Sequence, residues 1–316
     1  MQQEKRSAPR LTLGGDLPVR RIGYGAMHLT GPGMWGPYPD PAHAVAVLRR
    51  AVDLGVDFID TADSYGPGYN ERMIRLALHP YPDHLVICTK GGLVRSGPAD
   101  WAGLEPPYIR PVGRPEYLRQ QVEVSLQNLG VDRIDLYQLH SIDPQIPLSE
   151  QLGILSCMQE EGKIRHIGLS GQPGVSVEDL MCADAHATVT AVENLYNIAD
   201  RQSTDVLRHC EKYGTAFIPW FPLGHGTLAA SDGPLAKIAA EFGMNAPQLA
   251  LAWLLHVSPN TLLIPGTTSL AHLEENLRAG DVSLTAQDLE AITRTVDAAG
   301  ITTWRPGAST QPSHAC

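Results

Sequence analysis

Four residues far apart in the chain have the side-chain types needed to put a proton on a carbonyl oxygen: Asp60, Tyr65, Lys90 and His140. Asp60 lies near the end of the apolar run 57–62, with Tyr65 just after it. Lys90 ends the run 85–90, and His140 ends the run 134–140. A free phenol, with a pKa of about 10, is too weak an acid to donate readily at neutral pH. A neighbouring ammonium favours the phenolate, so Lys90 is expected to lower the pKa of Tyr65. Asp60 would keep Lys90 charged and oriented. His140 would hydrogen-bond the carbonyl oxygen or share in a proton relay, and the set would titrate as one coupled unit. Taken singly, each residue has an ordinary use as a cap, a surface charge or a packing group. Their shared position at successive run ends is what points to a site.

Something must bring those ends together. Apolar runs suited to strands buried on both faces recur at 22–27, 57–62, 85–90, 134–140, 166–171, 188–195, 216–223 and 261–266. Segments of helical periodicity alternate with them at 42–54, 70–78, 115–129, 148–161, 177–183, 201–213, 246–256 and 270–278. This pattern predicts an α/β fold, a (β/α)8 TIM barrel, in which all strand ends meet at one rim. Residues 11–20, with Gly14-Gly15, predict an N-terminal β-hairpin that plugs the bottom. Residues 286–296 predict a C-terminal extra helix before a tail. An open nucleotide-binding sheet is disfavoured because Gly23-Tyr24-Gly25-Ala26-Met27-His28 has His28 where a third glycine belongs. No linker divides the chain, so residues 1–316 are expected to form one domain. Within it, 1–10 are expected to be flexible and 299–316 to form a tail on the substrate side.

Composition narrows the class further. A formal charge of -10 argues against nucleic acid, and no basic run suggests an anionic membrane. The five scattered cysteines contain no CxxC pair, so reduced thiols are expected rather than a disulfide framework or a zinc site. No His/Asp/Glu grouping has metal-ligand spacing, and no metal is expected. The polar start 1–10 lacks a signal-peptide stretch, and no apolar run is long enough to span a bilayer. A cytoplasmic location is the expectation, with monomer and homo-oligomer both open.

The segments Phe58–Gly66, Thr89-Lys90 and Leu139-His140 resemble the catalytic segments of the aldo-keto reductase superfamily. So do His166–Ser170, Ile218–Gly224 and Ile264–Thr268, and the resemblance covers almost the whole chain. Gly23–Met27 and Phe221–Gly224 look most like bacterial pyridoxal reductases and their relatives. The resemblance implies an oxidoreductase that reduces an aldehyde or ketone with NADPH, or NADH, using Tyr65 as proton donor. It implies that Trp220 stacks on the nicotinamide ring and that Ser170, Gly171 and Glu193 stand at its carboxamide. Further cofactor contacts are implied at Gly25, Ala26, Met27, Asp60, Phe221, Pro222, Leu223 and Gly224. On the phosphate side they fall at Gly266, Thr267, Thr268, His272, Glu275 and Asn276, where a helix N-terminus suits an anion.

Four positions depart from the family pattern. Gly171 replaces an Asn, Glu193 replaces a Gln, and Gly266 and His272 stand where many members carry Lys and Arg. An ionised Glu accepts hydrogen bonds but cannot donate them. A small-molecule carbonyl is the expected partner, in a pocket lined by Met27, Trp35, Trp101 and Trp304, with the connection 91–113 and the tail setting specificity. Two other classes stay open on this scaffold: a cofactor-binding regulatory or accessory protein, and a non-redox barrel enzyme. Nicotinamide absorbance, with and without an added carbonyl, separates the three.

Overall fold

The structure is a computed structural model that describes residues 9–99, 109–171 and 174–303. Seven neighbouring parallel strands form one sheet: Tyr24–Gly25, Phe58–Asp60, Val86–Gly91, Ile134–Leu139, Ile164–Ser170, Val189–Leu195 and Ala216–Trp220. The eighth position is filled by residues around 261–263, through single bridges from Thr261 to Phe217 and from Leu263 to Ile22. Backbone bonds from Leu262 N to Phe217 O (2.9 Å) and from Gly23 N to Leu263 O (2.8 Å) close the sheet on itself. The barrel expected from the alternation is formed. Its eighth strand is shorter than expected, because Pro265 has no N–H to extend the ladder. Its seventh stops at Trp220, where Phe221 turns to φ 52.

The helices follow the strands closely, at Pro41–Asp53, Tyr69–Leu78, Pro115–Leu129, Leu148–Glu160, Val177–Ala183, Thr204–Tyr213, Ala246–Val257 and Leu270–Arg278. The extra helix runs over Ala286–Ala298. Several pieces have no counterpart in the sequence-based reading, including 3-10 turns at Pro32–Met34 and Ala279–Asp281. After the seventh strand come a 3-10 turn, Gly224–Ala229, and a helix, Pro234–Glu241. After the third strand, Leu93–Arg95 pairs antiparallel with Ile109–Pro111.

Inside the barrel, Phe58, Val86, Leu136, Ala216 and Leu262 pack with Leu13, Leu17 and Val19 of the hairpin Arg10–Leu13/Leu17–Arg20. The hairpin thus buries its apolar face against one end of the barrel, as expected of a plug. Asp57 anchors it by accepting from Arg20 N (2.8 Å) and Arg10 (3.0 Å). Its turn needs glycine at Gly14, which has φ +57. There a Cβ would also lie 2.1 Å from the His166 ring. Buried Arg21 ties the start of the first strand to the approach of the eighth. It donates to the carbonyls of Leu255 (2.6 Å), Thr261 (2.9 Å) and Ser258.

Cys88, Cys157 and Cys210 are free thiols, whereas Cys182 is disulfide-bonded, against the expectation of reduced thiols throughout. Among the described residues, no helix is long and apolar enough to cross a membrane.

Candidate active site

Consecutive strands carry the four polar residues to the same rim. Lys90 ends up fully buried, with Nζ 2.7 and 2.6 Å from the two Asp60 carboxylate oxygens and 3.1 Å from the Thr61 carbonyl. A second carboxylate approaches from the sixth strand, with Glu193 Oε2 at 3.4 Å from Lys90 Nζ. The same oxygen accepts from Gln138 Nε2 at 2.7 Å. Burial alone would lower the Lys90 pKa, but Asp60 and then Glu193 outweigh it and hold the ammonium well above the usual lysine value.

Tyr65 lies over this cluster, its ring centroid 5.3 Å from Lys90 Nζ. Its phenol departs from the sequence-based expectation. Burial raises the pKa, Lys90 pulls it back, and Asp60 and Glu193 push it up again, so the net direction is upward. Spacing along the chain showed the lysine but neither the depth of the site nor the second carboxylate. The His140 ring stands edge-on to Tyr65, with centroids 5.8 Å apart at 83°. Burial, then the Lys90 and Arg95 charges, hold its pKa well below the usual value, so the imidazole is neutral. Nδ1 lies 3.3 Å from Ser64 Oγ.

Two cavities meet at Tyr65. The larger, about 650 Å³, runs from Asp60, Tyr65 and Glu193 past Trp220 to the start of helix Leu270–Arg278. Of the residues expected to hold a cofactor, Gly25, Met27, Asp60, Glu193, Trp220, Phe221, Pro222 and Leu223 line it. So do Gly266, Thr267, His272, Glu275 and Asn276. Ser170 and Gly171 instead line the smaller cavity, of about 80 Å³, with Tyr65, His140, Glu193 and Trp220. Ala26 is buried behind the wall, and neither Gly224 nor Thr268 lines either cavity.

On the substrate side, Met27 lines both cavities, while Met34 and Ile109 reach the smaller one. Trp35 does not; it turns outward at 37% exposure, and its neighbour Met34 takes the inward place at φ 55. Trp101 and Trp304 lie outside the described residues.

Sequence reasoning also missed His28, His225 and the segment Met244–Pro247, which line the larger cavity. The pattern Gly224-His225-Gly226, with φ of 57, 54 and 91, was the available signal for a tight functional turn.

The groove suits a dinucleotide. Its floor is made where two backbones approach closely, since a Cβ on Gly25 would lie 2.5 Å from Ile264 O and one on Gly266 2.8 Å from Gly25 O. An indole stands at the Tyr65 end. At the far end is a helix N-terminus, where the Ser269 side chain accepts from His272 N and free backbone donors suit an anion.

The sequence profile described as the aldo/keto reductase family matches residues 21–297. The chain is 44% identical to an uncharacterized oxidoreductase of Schizosaccharomyces pombe, over 86% of its own length and 85% of that protein. It is 40% identical to pyridoxine 4-dehydrogenase of Escherichia coli, over 88% of its length and 95% of that protein. An aldo-keto reductase from Klebsiella pneumoniae, solved in complex with NADPH, superposes with a TM-score of 0.74 at 26% identity. That superposition covers 91% of this chain and 94% of the other. The barrel, the rim cluster and these matches agree, and the chain belongs to the aldo/keto reductase family.

Proposed function

We propose that the protein reduces a small or medium aldehyde or ketone with NADP(H), Tyr65 giving the proton. The observation that carries this reading is the phenol held over a buried, doubly paired lysine at the meeting point of the two cavities. A reduced nicotinamide, held beside Trp220, would supply the hydride. The residues that would hold the dinucleotide are Trp220, Glu193 and Gly25 near the ring, and Gly266, Thr267, His272 and Asn276 near the phosphates.

The chain's own groups handle the proton. Burial keeps Tyr65 in its acid form in the resting site. As the proton leaves Oη for the carbonyl oxygen, negative charge develops on the phenol, and the Lys90 ammonium favours that charge. With Nδ1 accepting from the Ser64 hydroxyl, the neutral His140 ring carries its proton on Nε2, which can donate to the same carbonyl oxygen. Asp60 accepts from Lys90 through both oxygens and keeps it aimed.

For substrate we propose a pyridoxal-like aromatic aldehyde, supported by the identity to the Escherichia coli pyridoxine 4-dehydrogenase and by the apolar lining of Met27, Met34 and Phe221. The test is a panel of aldehydes and ketones read by loss of NADPH absorbance, with NADH in parallel. Turnover of aromatic aldehydes supports the reading, and absorbance unchanged across the panel contradicts it.

A further inference from the structure

We propose that Glu193 is a positioning residue whose protonation sets the charge of the Lys90 cluster and thereby the readiness of Tyr65 to give up its proton. This rests on the reading of Tyr65 as the acid. The geometry places one ammonium between two carboxylates: Asp60 grips it with both oxygens at 2.6 and 2.7 Å, and Glu193 reaches it with one at 3.4 Å. All three are buried, Lys90 at 0%, Asp60 at 2% and Glu193 at 3% exposure. Such a site holds one negative charge readily against one positive charge, and a second only at a cost. Burial raises both carboxyls, and Asp60, gripped through both oxygens, stays ionised while the looser Glu193 takes the proton. Glu193 is raised to about 7, by burial first and then by the Asp60 charge, against the pull of Lys90 and the hydrogen bond from Gln138.

Among the described residues, no further cation acts on Glu193. The titratable groups facing Glu193 are Asp60 from the second strand, Lys90 and Cys88 from the third, and Tyr65. Burial holds the Cys88 thiol well above its usual pKa, so it stays neutral. On the flanking strands the register partners are Ser170 and Ile218, which do not titrate. Gln138 Nε2 donates to Glu193 Oε2, and Gln138 Oε1 has no hydrogen-bond partner among the described residues.

With Glu193 neutral, Asp60 and Lys90 cancel and the ammonium is free to favour the forming phenolate. With Glu193 ionised, the cluster carries a net negative charge and opposes it. Carbonyl reduction in the wild type should therefore slow by about threefold to tenfold from about pH 6 to about pH 8.5. One pKa unit on Tyr65 is a factor of ten in acid strength, and proton transfer expresses only part of it.

The experiment compares kcat for reduction across that range in wild type and Glu193→Gln, together with thermal melts of both proteins without cofactor. In Glu193→Gln the fall near neutrality should be absent. In the melts, a carboxyl raised from about 4.3 in the unfolded chain contributes stability below that value and loses it as pH rises toward 7. The variant should therefore gain on wild type between about pH 5 and about pH 8. Superimposable pH profiles overturn the proposal while leaving the role of Tyr65 intact. A melting difference independent of pH overturns it as well. The melts need no turnover, so they judge Glu193 even where the reading of Tyr65 fails.

Discussion

Removing both carboxylates from Lys90 should cost far more than the two single losses suggest. At an effective dielectric of 20, the contacts at 2.6 and 3.4 Å are each worth about 5 to 6 kcal/mol of attraction, so either partner can hold the ammonium alone. Asp60→Asn is expected to cost about 2 kcal/mol, because Glu193 ionises fully in response. Glu193→Gln should cost less than about 1 kcal/mol. In the double variant Lys90 retains the Thr61 carbonyl and the Tyr65 ring but neither carboxylate. It escapes by losing its proton, which at pH 7.5 costs about three pKa units, or about 4 kcal/mol. Allowing for the lost hydrogen bonds, the double variant should fall about 5 kcal/mol below wild type, leaving a coupling of about 2 kcal/mol. Its deficit should also shrink by about 1.4 kcal/mol per pH unit as the unfolded lysine approaches its own pKa. Urea denaturation of all four proteins at about pH 7.5 and about pH 9.5 measures both quantities. Additivity within about 0.5 kcal/mol, or a deficit that does not change with pH, refutes the shared-lysine account.

Two further outcomes are expected. Arg21→Met removes the donor to three carbonyls around the barrel seam and should destabilise the fold by about 3 kcal/mol, read by the urea midpoint; a loss under about 1 kcal/mol would show that the seam holds without it. Among the described residues, neither Lys nor Arg lines the larger cavity, and its basic groups are His28, His225 and His272. NADPH should therefore bind more tightly than NADH by about tenfold or less, with His272→Ala narrowing the gap; titration giving equal affinities contradicts this.

Much of the fold was legible because parallel barrel strands are buried on both faces and read as unbroken apolar runs. Val86–Gly91 and Ile134–Leu139 follow this rule, and Lys90 near the end of the first and His140 just past the second then stand out as rim groups. The ribbon of Leu93–Arg95 with Ile109–Pro111 was not legible, since each strand is three residues long and neither is buried. Helix Pro234–Glu241 carried a readable spacing in Leu235, Ile238 and Ala239 but lies in an insertion that the strand–helix alternation does not call for.

In the site, residue types were visible and pairings across the barrel were not. Glu193 and Lys90 sit on strands separated by two others, and only the closed sheet aims both inward. For the same reason the acidity of Tyr65 was misjudged: chain spacing shows a lysine nearby but gives no measure of desolvation.

The central claim, that Tyr65 supplies the proton, is tested most directly by Tyr65→Phe. The substitution removes the hydroxyl and keeps the ring that packs against His140. Carbonyl reduction is followed by NADPH absorbance, and cofactor affinity by titration on the same preparation. The account predicts a fall in kcat of about 10²–10⁴-fold with cofactor affinity within about twofold of wild type. Wild-type turnover in the phenylalanine variant contradicts it.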